Sequence, residues 1–211
     1  MIFYADKVAC TGQEMALLQK IEAEKTTLGL PKWWRVGDTL RFAHTVKYDF
    51  EKIKLLIQEY LLFIQEVKDT KLSQETLGFI GSGNLYVAGK CKDECTNIYI
   101  GGNPKIRSVE LNEFIGLVRF ILFLVRNQTC VPGYLERVNI FLMLADNQSS
   151  KAFLVHLLDR LRYIIVRTLP YTVNRFVFIG DTGDMTDKYQ EFKRKMSPFC
   201  EVSNYRLDEI D

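Results

Sequence analysis

Short apolar runs alternate with helical patterns through the second half of this chain. The runs at Val138–Ala145 and Arg175–Ile179 are rich in Val, Ile, Leu and Phe, which is typical of strands buried on both faces of a parallel sheet. Between them, residues 150–168 repeat apolar side chains at helical spacing. This alternation predicts an α/β domain with a mainly parallel sheet and flanking helices.

Further elements are predicted on either side of this region. Two strands, Leu85–Gly89 and Asn97–Ile100, flank a charged turn, and Ser108–Arg126 is an apolar helix that should be deeply buried. A short strand at Cys200–Val202 closes the series. Helical patterns fill the first part of the chain. We therefore divide the chain into a helical N-terminal region, residues 1–78, and an α/β lobe, residues 79–211.

The last long helix follows the strand Arg175–Ile179 after a loop rich in Gly, Asp and Thr. Four apolar residues recur at spacings of four, three and four and share one face of this helix: Met185, Tyr189, Phe192 and Met196. Basic residues lie outside this face: Lys188, Lys193, Arg194 and Lys195. Two interpretations fit the pattern, an ordinary helix covering a sheet and a lid over an apolar cavity.

The charge balance excludes some classes of function. The chain has 211 residues with 28 basic and 26 acidic side chains, a net charge of +2, which is too small for the concentrated basic surface that nucleic acid requires. No apolar run approaches the roughly 20 residues of a membrane span. The first residues are interrupted by Asp6 and Lys7, unlike a secretory signal. We expect a cytoplasmic protein; nothing in the sequence indicates an oligomeric state.

Neither the cysteines nor the histidines form a recognisable reactive site. Five cysteines, an odd number, do not suggest a disulfide framework, although Cys91 and Cys95 could sit across a turn from each other. Zinc would need a second ligand pair, so we expect no metal. The Cys200-x5-Arg206 spacing matches a cysteine phosphatase but lacks the glycine-rich phosphate loop, and we attribute it to chance. No catalytic motif is present, and we expect neither enzyme activity nor a cofactor.

Four stretches taken together, across about residues 36–202, resemble the CRAL-TRIO domains of retinaldehyde-binding, tocopherol-transfer and phosphatidylinositol-transfer proteins. They occur in the family's order: Asp38–Phe42 with Lys47–Lys52, the turn Lys90–Thr96, Ala145-Asp146 with Ser149, and Leu169–Ile179 followed by Ser197-Pro198-Phe199. Two positions depart from the phosphatidylinositol-binding members, which carry Glu and Lys where this chain has Tyr171 and Glu201. Recognition of an inositol headgroup is therefore not expected.

The resemblance implies a sheet that floors a hydrophobic pocket, a gate helix that closes it, and a lipid ligand carried between membranes by a protein transiently peripheral to them. The lipid-binding residues it suggests are Phe141, Met143, Phe178, Met185, Tyr189, Phe192 and Met196. The membrane-facing residues would be Lys188, Lys193, Arg194 and Lys195. Two alternatives stay open at this point: an interaction module of the same fold with a filled pocket, and a small hydrolase that uses Cys200.

Overall fold

The computed structural model describes residues 11–69, 71–101, 110–128, 137–144, 148–167, 170, 172–183 and 186–206. Within these ranges the chain forms seven helices and five strands. The helices are α1 (Gly12–Ala23), α2 (Val36–Thr45), α3 (Phe50–Asp69), α4 (Gln74–Gly81), α5 (Leu111–Gln128), α6 (Gln148–Arg167) and α7 (Thr186–Met196). The strands are β1 (Leu85–Lys90), β2 (Thr96–Ile100), β3 (Val138–Met143), β4 (Val173–Ile179) and β5 (Glu201–Tyr205).

The five strands form one sheet in the order of the chain, β1-β2-β3-β4-β5. Strands β1 and β2 form an antiparallel hairpin, and β2, β3, β4 and β5 run parallel to one another. A helix connects each parallel pair. This architecture confirms the predicted α/β class with a mainly parallel sheet. Strand β5 is longer than the sequence indicated, because it runs to Tyr205 and pairs along β4.

The sequential strand order decides where the connecting helices lie. Every parallel crossover steps in the same direction across the sheet, and right-handed crossovers that step the same way place their helices on the same side. Helices α5, α6 and α7 thus cover one face, which we call the back face. Its strand residues are almost fully buried and include Ile98, Ile140, Leu142, Phe176, Phe178 and Val202. The opposite face, which carries Tyr99, Phe141 and Val177, is called the front face.

The N-terminal helices continue the hydrophobic core of the back face. Helix α3 packs against α5 and α6, and the buried side chains of α1, α2 and α3 belong to the same cluster as those of the sheet. Buried Arg41 on α2 also donates from Nη1 to Oγ1 of Thr172, at 3.1 Å, just before β4 begins. The hydrophobic core is therefore continuous across residue 78. The division of the chain into two parts at this residue stays a prediction.

Candidate functional site

A groove with a volume of about 1060 Å³ lies over the front face. Its described lining residues come from the strands and from the turn between β1 and β2, and they form three rows across the sheet and a rim. The central row is Tyr86, Tyr99, Phe141, Val177 and Ser203; the row nearer the amino ends of the parallel strands is Asn97, Asn139 and Arg175; the row nearer their carboxyl ends is Met143, Ile179 and Tyr205; the rim is Cys91, Lys92 and Asp93.

Three aromatic rings of the central row form a stack. The ring centroids of Tyr86 and Tyr99 are 5.0 Å apart with an interplanar angle of 8°, and those of Tyr99 and Phe141 are 4.6 Å apart with an angle of 11°. These residues are register partners, and neighbouring strands lie about 4.8 Å apart, so their rings meet face to face. The stacked rings therefore form part of the floor of the groove.

The end of the groove near the amino ends of the parallel strands is polar. Asn139, only 4% exposed, donates from Nδ2 to Oδ1 of Asn97 at 2.9 Å and to Sγ of Cys91 at 3.5 Å. A β-bulge places an extra residue, Asn174, between the partners of Val138 and Asn139, and its Nδ2 donates to Asn139 Oδ1 at 3.1 Å. The buried Asn139 amide is thus hydrogen-bonded through both its nitrogen and its oxygen.

An ion pair extends this polar end towards β5. Arg175 Nε lies 2.9 Å from Glu201 Oε2, and the two residues are register partners on adjacent strands. Both side chains are about half exposed, so the pair contributes little to stability. At the other end of the groove Met143 and Ile179 are apolar. The groove is consequently amphipathic along the strand direction.

The three thiols in the described residues differ in chemistry. Burial raises the pKa of Cys95 to about 11 and that of Cys200 to about 12, so both are neutral thiols near neutral pH. Burial acts to raise the pKa of Cys91 as well, but hydrogen bonds with the backbone of Asp93 and Cys95 and from Asn139 outweigh it and hold that pKa below its ordinary value. Cys200 therefore lacks the thiolate that a hydrolytic nucleophile requires.

The structure brings only part of the predicted lipid-binding set to the groove. Phe141 and Met143 line it. Phe178 lies on the back face with no exposed surface. Met185, and also Tyr171, lie outside the described residues. Whether any of these side chains touches a ligand stays a prediction.

The helix predicted to be a gate, α7, packs on the side of the sheet away from the groove. Tyr189, Phe192 and Met196 are 6%, 4% and 0% exposed. The Tyr189 ring centroid lies 5.0 Å from that of Phe178, and the Phe192 ring lies 4.9 Å from that of Phe176. The space between α6 and α7 amounts to about 10 Å³, no more than one water molecule.

This placement corrects the expectation that α7 covers the same cavity as Phe141. The physical reason is the topology: β4 and β5 are parallel neighbours, so their connecting helix crosses on the same side as α6. An amphipathic helix shows the same sequence pattern whether it seals a core or covers a ligand.

The basic residues of α7 face outward from the back side. Lys188, Lys193 and Arg194 are exposed and Lys195 is partly exposed. Lys188 and Lys195 both form ion pairs with Glu191, and the Lys193 ammonium lies 5.9 Å from the centre of the Tyr189 ring. Contact of these residues with a membrane stays a prediction, and such contact would leave the groove facing away from that membrane.

Sequence reasoning missed most of the groove. Because side chains of a strand alternate between its faces, Asn139 lies on the same face of β3 as Phe141 and Met143. The sequence could therefore have placed Asn139 in the groove once those two residues were assigned to it. Tyr99, Val177 and Ile179 require the register between strands, which a single sequence does not reveal. Once the strand pairing is known, three neighbouring register partners on the front face prove to be aromatic. This row of aromatic residues is the signal that marks the groove.

Two other kinds of feature are absent from the described parts of the chain. No helix there is long and apolar enough to cross a membrane. Nor do these residues include a cluster of three or more His, Cys, Asp or Glu side chains arranged to hold a metal ion. The groove on the front face is therefore the candidate functional site.

Comparison with known proteins gives a match in structure. No protein-family model matches this sequence, and no curated protein matches it. The crystal structure of Sfh5, a Sec14-family CRAL-TRIO protein, matches with a TM-score of 0.69 over 93% of this chain and 82% of the Sfh5 chain. The two sequences are 7% identical, so the match shows a shared fold. This chain has the fold of Sfh5, as the resemblance in its sequence implied.

Proposed function

We propose that this protein is a lipid-binding protein, that its ligand occupies the front-face groove, and that it carries the ligand between membranes. The observation that carries the proposal is the groove itself: about 1060 Å³ of space over a strand surface that is apolar towards the carboxyl ends of the parallel strands and polar towards their amino ends. Small-molecule sites commonly have volumes of about 300–1,000 Å³, so the space suits a large ligand. The fold shared with Sfh5 supports lipid binding rather than catalysis.

The energetics favour an aliphatic ligand over a polar one. Each methylene group removed from water contributes about 0.8 kcal/mol, so a long acyl or isoprenoid chain gains many kcal/mol on the apolar floor. The floor offers aromatic edges at Tyr99 and Phe141 and aliphatic surface at Met143, Val177 and Ile179. Polar metabolites would leave this surface without a matching partner.

The amphipathic groove also suggests an orientation for the ligand. Its apolar part would lie towards Met143 and Ile179, and its polar part towards Asn97 and Arg175. Arg175 is already paired with Glu201, so hydroxyl or amide groups suit this end better than a phosphate does. This agrees with the sequence expectation that inositol phosphate recognition is absent.

Delivery to a membrane requires the groove to approach the bilayer. Two tyrosines of the groove are well exposed, Tyr86 at 49% and Tyr205 at 45%. Tyrosine is favoured at membrane interfaces because its ring is apolar and its hydroxyl remains hydrated. We therefore place the docking side at the front face, while the basic side of α7 remains a second candidate surface.

The test compares an Asp in the groove with an Asp elsewhere. Wild-type protein, Phe141→Asp and Tyr163→Asp are purified, their lipid content is measured by native mass spectrometry, and uptake of a fluorescent fatty-acyl lipid from vesicles is titrated. Tyr163 is a 53% exposed aromatic residue on α6, so Tyr163→Asp is a matched control for the added charge. We expect the control to bind like the wild type and Phe141→Asp to bind at least about tenfold more weakly, because a carboxylate in an apolar site is costly.

Equal lipid uptake by Phe141→Asp and the wild type would show that the groove is not the lipid-binding site. A folded wild-type protein that neither co-purifies with lipid nor accepts it from vesicles would contradict lipid binding altogether. That second result would favour the alternative of an interaction module with the same fold.

A further inference from the structure

The turn between β1 and β2 ends in a facing pair of cysteines. Lys90 and Thr96 are the last register partners of the hairpin, and the Cys91 N–H donates to the Cys95 carbonyl at 2.9 Å. The Glu94 N–H donates to the Cys91 carbonyl at 3.0 Å, and Glu94 has a φ of 59°. A three-residue turn whose last residue is left-handed is a standard hairpin connection, and it sets Cys91 and Cys95 directly opposite each other.

A directly opposed pair of residues in a hairpin is at a separation that a disulfide can span. Directly opposed residues of an antiparallel pair have Cα atoms about 4.5–5.5 Å apart, inside the range of about 4.4–6.8 Å found in disulfides. In the reduced protein the two thiols lie close enough for each to influence the pKa of the other. Both cysteines are free, so the bond between their sulfurs could form with little movement of the backbone.

The surroundings give the two thiols different roles. Cys91 is half-buried, lines the groove and accepts a hydrogen bond from Asn139 Nδ2 at 3.5 Å. Cys95 is 5% exposed and donates to the Asp93 carbonyl at 3.5 Å. The pKa values follow this division, lowered for Cys91 and raised to about 11 for Cys95. Among charged groups, the Cys91 thiolate and Asp93 raise the pKa of Cys95 and Arg137 lowers it.

We propose that Cys91 and Cys95 are a reversible oxidation site at the rim of the groove, in which Cys91 reacts first with hydrogen peroxide and Cys95 resolves the product. The Cys91 thiolate attacks one peroxide oxygen, the O–O bond breaks, and hydroxide leaves and takes up a proton to become water. Cys91 is then a sulfenic acid. The Cys95 sulfur attacks the Cys91 sulfur, the S–OH bond breaks, and a second water forms with the Cys95 proton. The two thiols are oxidised by two electrons in total, and one peroxide is reduced to two waters.

The first measurement follows the disulfide in the full chain. Reduced wild-type protein, Cys91→Ser, Cys95→Ser and Cys200→Ser are each treated with hydrogen peroxide, the remaining thiols are alkylated, and peptides are mapped by mass spectrometry. We expect a Cys91–Cys95 disulfide in the wild type and in Cys200→Ser, reversed by dithiothreitol. Cys95→Ser should stop at a sulfenic acid that dimedone traps, and Cys91→Ser should leave Cys95 as a thiol.

The second measurement needs no variant. Limiting iodoacetamide at neutral pH should label Cys91 at least about tenfold faster than Cys95 or Cys200, because the thiolate fraction and access both favour Cys91. The proposal is overturned if wild-type Cys91 pairs with another cysteine or with none, if Cys95 is oxidised equally well in Cys91→Ser, or if Cys200 is labelled as fast as Cys91. Neither measurement involves a lipid, so failure of the lipid proposal leaves this one standing.

Discussion

The two faces of strand β4 carry similar residues in different surroundings. Phe176 and Phe178 face the back, have no exposed surface and contact the rings of α7. Val177 and Ile179 face the front, are 5% and 9% exposed, and line the groove. Both pairs are apolar, but among the described residues helices cover the back-face pair, whereas the front-face pair borders the groove. Apolar side chains that line a groove of this volume, about 1060 Å³, are typical of a binding site.

The largest effect should come from the back face. Phe178→Ala removes a fully buried ring that contacts Tyr189 and Phe192, and the cavity it leaves should lower the free energy of unfolding by about 3–5 kcal/mol. Urea denaturation measures this change. A loss below about 1 kcal/mol would mean that α7 and the sheet are loosely packed, and the lid interpretation of α7 would return.

A smaller effect is expected at the end of β4. Gly180 has a φ of +121°, and an added Cβ would lie 3.1 Å from Leu144 Cβ and 3.2 Å from its carbonyl oxygen. Gly180→Ala should therefore lower the free energy of unfolding by about 1–3 kcal/mol. The matched control is Gly78→Ala in α4, where an added Cβ meets nothing within 4 Å. There the change should be neutral or stabilising by up to about 1 kcal/mol, so equal effects at both glycines would contradict this argument.

The front face should behave differently from the back face. Phe141 is half-buried, so Phe141→Ala should lower the free energy of unfolding by about 1–2 kcal/mol, less than Phe178→Ala does. Bound lipid should raise the melting temperature of the wild type, since a ligand stabilises the state that binds it, and should raise that of Phe141→Ala much less. Thermal unfolding with and without a fatty-acyl lipid tests both statements. Equal lipid-induced shifts would show that Phe141 does not contact the ligand.

The smallest effect on stability is expected on the outside of α7. Lys193→Gln with Arg194→Gln changes exposed side chains and should alter the free energy of unfolding by less than about 0.5 kcal/mol. If the front face docks on membranes, sedimentation with anionic vesicles should also change little. A loss of tenfold or more, at about 1 kcal/mol per basic residue, would instead support the sequence prediction that α7 faces the membrane.

The sequence was sufficient for the class of fold but not for the faces of its elements. Continuous apolar runs and helical periodicity predict β3, β4, α6 and α7, because burial on both sides leaves a strong local pattern. Which side each residue takes depends on strand register and crossover direction, which are non-local. Phe141 and Phe178 therefore carried the same signal, although one lines the groove and the other is in the core.

Which face of a short helix is buried also depends on packing with the rest of the chain. In α1 the apolar spacing of Met15, Leu18 and Ile21 would place Met15 inward, whereas Met15 is 47% exposed and Leu17 is buried. The Thr11–Glu14 capping box fixes the start of this helix at Gly12. Residues two apart point away from each other on a helix, so packing against the rest of the chain decides whether Met15 or Leu17 is buried. Helix α4 has only a weak sequence signal, because the glycines at 78 and 81 weaken its helical pattern.

The stacked rings of Tyr86, Tyr99 and Phe141 have a practical consequence. Near-ultraviolet circular dichroism arises from aromatic side chains held in fixed asymmetric surroundings. Two tyrosines locked nearly parallel beside the groove form such a chromophore pair, while both tryptophans, Trp33 and Trp34, lie in the N-terminal part of the chain. The tyrosine region of the spectrum should thus act as a label-free optical reporter of occupancy.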